Sequence, residues 1–160
     1  MKAAGIILIV LVLAAVAGLG WLYLNTNVVV SSASCIATEA VLQAETFNRV
    51  KEEVQNGSFV GTRFSGEALQ EADAYQFLTY TVALDNHAFL DAETVEIRLT
   101  PMQGDVLLLS DLQEHRAPAG RVTELACALL TARGAHSVRE ATVTWYCWGI
   151  PFSTRLTIGR

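Results

Sequence analysis

YQFLTYTVAL, Tyr75 to Leu84, sets Leu78, Tyr80, Val82 and Leu84 in alternation with Thr79, Thr81 and Ala83. A period of two over ten residues, carried by β-branched and aromatic side chains, predicts a strand with one buried and one wet face. The same pattern continues toward the C-terminus. Val95, Ile97 and Leu99 alternate with Glu96 and Arg98 within Glu93 to Thr100, and Asp105 to Leu109 is a short apolar strand. Val122 to Ala132 follows the turn signal Pro118-Ala119-Gly120. Ala141, Val143, Trp145 and Cys147 alternate with Thr142, Thr144, Tyr146 and Trp148, and Phe152, Leu156 and Ile158 close the chain. With Phe59 to Phe64 as a first strand, seven strands result. No helical period lies between them, so an antiparallel sandwich is expected rather than parallel strand–helix–strand units.

Toward the N-terminus the period changes at Gly57. Ile36, Ala40, Ala44, Phe47, Val50 and Val54 recur every three or four residues, the stripe of an amphipathic helix over Thr38 to Asn56. Thr38 is the expected N-cap, Gly57 the stop and Glu45–Arg49 an i,i+4 pair. Packing of the stripe on the following domain explains it without a partner. Val28 to Ser34 reads as a linker.

Before it, no charge interrupts Ala3 to Thr38, and Ile6 to Leu24 is a run of 19 apolar or small residues. As a helix this run spans roughly 28 Å, close to a hydrocarbon core of ~30 Å. Trp21 and Tyr23 stand where aromatic rings favour the headgroup region, and Asn25 to Asn27 form a polar exit. Lys2 before the run favours a cytoplasmic N-terminus. The expectation is a single-pass cell-membrane protein whose C-terminal domain is extracytoplasmic and whose N-terminal partner is the lipid bilayer. A cleaved leader is the competitor, but its apolar region is shorter. Lipidation at Cys35 would call for an aliphatic residue where the chain has Ser32. The division is 1–27 anchor, 28–57 linker and amphipathic helix, 58–160 sandwich.

Formal net charge is −5, and without Lys2 the remainder has 10 basic and 16 acidic residues, or −6. Without clustered Lys and Arg, nucleic acid is not an expected partner.

From Tyr75 onward, Val82, Leu84 and Asn86 are followed by Ala92, Glu93 and Val95, then by Pro101, Gly104 and Asp105, then by Pro118 and Gly120. This order of turns resembles bacterial surface modules of the immunoglobulin-like, fibronectin type III and CARDB-type group. The resemblance covers about half of the chain and implies an immunoglobulin-like sandwich. Its residues serve turns and core, so it implies no chemistry. Where such modules have Gly after the Asn, this chain has His87-Ala88-Phe89, and Phe89 is expected to fold back over the core.

No catalytic or metal-binding pattern emerges. His87, His115 and His136 are far apart and fall in expected loops. Asp85, Asp91 and Asp111 lie near strand ends without calcium-loop spacing. There is no G-x-S-x-G elbow. Cys127 and Cys147 lie in strands expected to form a hairpin. A loop centred near Ser137 would set them opposite for a bridge, and a tight turn at Gly134-Ala135 would not. The expectation is free thiols that act as small hydrophobes. Asn56-Gly57-Ser58 matches a glycosylation sequon. No cofactor, metal or catalytic residue is assigned.

Tyr146 and Trp148 share a face with Thr142 and Thr144 and form the candidate binding patch, for a protein or glycan, unless the amphipathic helix covers them. The expected function is a non-enzymatic, membrane-anchored interaction or structural module. The alternatives are a pilin-like assembly subunit, against which the polar break at Asn25 to Asn27 counts, and an exported enzyme, for which no feature speaks.

Overall fold

The computed structural model describes residues 2–24, 26–109 and 115–159, with the side chains of 2–4 and 22 outside the description. Asp111 and Asn25 lie outside the described residues. Two helices and nine strands are described: α1 Lys2–Leu24, β1 Val28–Glu39, α2 Ala44–Gln55, β2 Gly61–Arg63, β3 Tyr75–Asn86, β4 Ala92–Leu99, β5 Asp105–Leu109, β6 His115–Ala117, β7 Val122–Ala132, β8 Arg139–Cys147 and β9 Ile150–Ile158. The protein is mainly β, as the alternation predicts, and every strand pairing is antiparallel.

The strands form one sheet in the order β1-β3-β7-β5-β2 and another in the order β6-β4-β8-β9. Leu78, Tyr80, Val82 and Leu84 of the first sheet share a core with Val95, Val143 and Trp145 of the second. A second apolar cluster lies on the other side of the first sheet. There Phe47 and Val50 of α2 pack with Tyr75, Phe77, Leu107 and Leu130. Thus β3 is apolar on both faces at its Tyr75 end, because α2 covers the outer one.

All seven expected strands are present, with two more. Val28 to Ser34 is no linker but the first half of β1, which pairs with β3 from Val28↔Asn86 to Glu39↔Gln76. As the sheet's edge it is exposed on both faces along most of its length, so it lacks the one-sided alternation that marks a half-buried strand. The strand pairing takes Thr38 and Ile36, so α2 begins at Ala44 after a 3₁₀ turn over Ala40–Gln43 rather than at Thr38. Ile36 is consequently exposed, while Phe47 and Val50 keep the buried side of the stripe. The helical ion pair is Arg49–Glu53 at 3.6 Å. Gly57, at φ +70°, terminates the helix in a left-handed conformation that Gly adopts without steric cost. The three-residue β6, which places His115 on a strand rather than in a loop, is too short to leave a periodic signal.

β7 and β8, expected as a hairpin, belong to different sheets. The segment from Arg133 to Val138 crosses between them.

α1 is apolar around its whole circumference. Among the described residues no helix is long and apolar enough to cross a membrane. The unbroken described side chains of α1 run over 5–21, 17 residues or roughly 25 Å at 1.5 Å per residue.

Candidate functional site

Three connections meet at the end of the sandwich next to α1: the loop from β3 to β4, the turn from β6 to β7 and the hairpin from β8 to β9. Asn86 organises the first two. Its Nδ2 donates to the carbonyls of Leu90 and Ala117, both at 2.8 Å, and its Oδ1 accepts the Ala88 N–H at 3.0 Å. Its backbone N–H donates to the Arg121 carbonyl at 3.1 Å, and its carbonyl accepts the Gly120 N–H at 2.7 Å. The residue is fully buried and each polar group is satisfied. The Asp91 carboxylate adds to this by accepting the Ala119 N–H at 2.8 Å.

The third connection is a two-residue turn. Cys147 pairs with Ile150, and Trp148 and Gly149 between them both have positive φ, +53° and +73°. This is the type I′ geometry favoured by a right-twisted hairpin, which usually takes Asn or Asp followed by Gly. Here a tryptophan occupies the first position. Its side chain is 63% exposed. Tyr146 remains on the outer face of β8, exposed, in register with Glu93 and Pro151, while Trp148 stands at the hairpin tip. The helix expected to cover them packs on the other sheet instead.

Phe89 is exposed rather than folded over the core, and its ring stacks on Trp21 of α1 with centroids 5.5 Å apart. Tyr23 meets Phe152 of β9 at 5.5 Å, and Phe152 in turn stacks on Trp145. Sequence reading places Trp21 and Tyr23 near the helix end but gives no sign of these partners. Outside α1, every exposed aromatic among the described residues (Phe89, Tyr146 and Trp148) belongs to this end of the molecule.

Among the described residues, Asp85, His87, Asp91, Glu93 and Arg116 pair with neighbours on their own or adjacent loops and strands rather than around one centre. His87 pairs with Asp85 at 3.2 Å, and Asp91 and Glu93 with Arg116 at 3.3 and 3.1 Å. His136 is exposed in the β7–β8 crossover. No group of three metal-ligating side chains occurs among the described residues.

Inside the sandwich Cys35, Tyr80 and Cys127 stand side by side across β1, β3 and β7. Two strand spacings, roughly 10 Å, separate the two cysteines, too far for a disulfide. All three cysteines are free thiols. Burial raises the thiols of Cys35 and Cys147 and pushes that of Cys127 up to about 12. It also raises the Tyr80 phenol, which donates to the Ser137 carbonyl at 2.7 Å. These are suppressed nucleophiles, the reverse of an activated site. Arg139 and Asp105 form a buried ion pair at 2.6 Å that no local pattern in the sequence marks.

No protein-family profile matches this chain, and no curated protein matches it.

Proposed function

We propose that this chain is a single-pass membrane protein whose β domain is held outside the cytoplasm and acts as an interaction or structural module rather than an enzyme. The observation carrying this reading is the character of α1. Its apolar residues are exposed on every face, including Ile6, Leu13, Val16 and Leu19 at 55–63%, and it has no stripe that could seat it on the sandwich. A helix apolar all round needs an apolar surrounding, and together with Leu22–Leu24 the apolar run reaches the length of a hydrocarbon core. Lys2 ahead of the run supports a cytoplasmic N-terminus. The non-enzymatic reading is supported by how the buried polar groups are used: Asn86, Tyr80 and Arg139 hold turns and sheets together. The immunoglobulin-like, CARDB-type reading of the sandwich is supported by the same turns, since Asn86, Asp105 and Gly120 each take part in one.

The test is extraction and protection. The chain is expected to stay with membranes through an alkaline wash, and protease added to intact spheroplasts should remove the β domain and leave a short stub. Release by alkali, or protection of the domain until lysis, would refute the anchor or its orientation. Recovery in sheared filaments would favour the pilin-like reading. A pull-down with the membrane-reconstituted chain would identify a protein or glycan partner.

A further inference from the structure

We propose that the end of the sandwich nearest α1 is itself a membrane-contacting surface, in which Trp148 at the β8–β9 tip, with Phe89 and Ile150, enters the headgroup region of the bilayer that holds α1. The proposal rests on the anchor reading and adds that the domain is seated on the lipid surface instead of standing off it on a tether.

Continuity with the helix is the first argument. Trp21 and Tyr23 lie at the end of α1, where an anchor's aromatic rings occupy the interface. Trp21 stacks on Phe89 and Tyr23 meets Phe152. The chain leaves α1 at Leu24 and is paired in β1 by Val28, so little slack separates domain from helix.

Depth is the second. From Phe152 the strand runs two residues to Ile150, roughly 7 Å toward the α1 end. The hairpin tip therefore lies beyond the Tyr23–Phe152 contact, on the α1 side of the sandwich.

Composition is the third. Phe89, Trp148 and Ile150 are 52%, 63% and 43% exposed. The opposite end of the sandwich shows exposed aliphatic residues such as Met102 and Val138 but no exposed aromatic among the described residues. Aromatic rings, unlike aliphatic side chains, favour the interfacial zone. Of the acids beside these rings, Asp91 is held in an ion pair with Arg116 and Asp85 has the His87 ring at 3.2 Å, which lowers the cost of bringing this end against lipid. Contact through rings rather than cations also suits a domain carrying net negative charge, for which attraction to anionic lipid is unavailable.

The occupant is thus the interface of a zwitterionic bilayer. The full chain and its Trp148→Asn variant, which puts a favoured residue at a type I′ position, are reconstituted in phosphatidylcholine vesicles. The difference in fluorescence between them reports Trp148 against the common background of Trp21 and Trp145. Far-UV spectra of the two proteins confirm that the variant is folded. The expected result is that the Trp148 component is quenched by lipids brominated near the headgroup and is several-fold less sensitive to aqueous iodide than free tryptophan amide. A chain that survives the alkaline wash but shows an iodide-accessible Trp148 overturns the seating and leaves the anchor intact. A Trp148 shielded from iodide yet untouched by brominated lipid points to a protein contact, such as a second copy, and also overturns it. Loss of the chain from vesicles in alkali overturns the anchor, and the seating with it.

Discussion

The Arg139 guanidinium clasps the Asp105 carboxylate across the core, with Nη2 to Oδ1 at 2.6 Å and Nε to Oδ2 at 3.1 Å. The two side chains are 1% and 0% exposed, and they join β8 of one sheet to β5 of the other. Arg139 Nη1 also donates to the carbonyls of His136 and Val138, and Asp105 Oδ2 accepts the Met102 N–H. Removing one partner strands a buried charge, so Arg139→Met is expected to cost about 3–5 kcal/mol. The double variant Arg139→Met, Asp105→Leu should cost far less than the sum of the singles. Urea denaturation of the four proteins in detergent micelles, followed by tryptophan fluorescence, measures the coupling. Additive losses would show that the pair is not a unit.

Asn86→Ala removes three side-chain hydrogen bonds from a fully buried position. An expected loss of about 2–4 kcal/mol follows from unsatisfied carbonyls and a small cavity. Because these bonds hold the loop carrying Phe89, amide exchange should accelerate first over residues 87–91 and 117–121. Uniform acceleration across the sandwich would contradict the local role.

Trp148 occupies a backbone conformation that bulky residues adopt only under strain. Trp148→Asn should therefore raise the unfolding free energy by about 1 kcal/mol, since Asn tolerates positive φ in a type I′ turn. A stabilised variant that loses lipid contact would show that the tryptophan is held there at the expense of fold stability. A destabilised variant would mean that the indole packs as part of the core.

Gly61 has φ +151°, and a Cβ there would meet the Leu108 carbonyl and the Phe59 ring. Gly61→Ala is expected to detach β2 from β5 at a cost of about 1–3 kcal/mol. A thermal melt checks it, with Gly66→Ala, in open space, as the silent comparison.

The thiols make stability sensitive to alkali. Cys127 titrates at 9.0 in the unfolded chain and is pushed up to about 12 when folded, chiefly by burial and then by the neighbouring Cys35. Between those values the unfolded chain has released its proton and the folded one has not. Stability is thus full below pH 9 and falls as pH rises toward 12. The urea midpoint should drop between pH 8 and pH 10.5, and by less in Cys127→Val. Tyr80 and Cys147, shifted the same way, keep some of the slope. At pH 8 the folded protein should resist alkylation that proceeds readily in urea.

What the sequence determines by itself is whatever depends on neighbours along the chain. Leu78 to Leu84 alternates because this part of β3 has the inter-sheet core on one side, and Asp105–Leu109 and Val122–Ala132 appear with the same ends in sequence and structure. Gly57 stops a helix through its own backbone freedom. Only the tertiary structure decides the rest. β1 is a strand because β3 offers it a free row of backbone donors and acceptors, a partner that no property of Val28 to Glu39 announces. The assignment of β7 and β8 to separate sheets is a matter of how the crossover turns, and Arg139 and Asp105 become a pair only once that crossover has brought the two sheets together. The same holds for Trp21 and Phe89, 68 positions apart in the chain. Their contact depends on the fold returning the β3–β4 loop to the end of α1, because side-chain periodicity records which face of an element is covered but not what covers it.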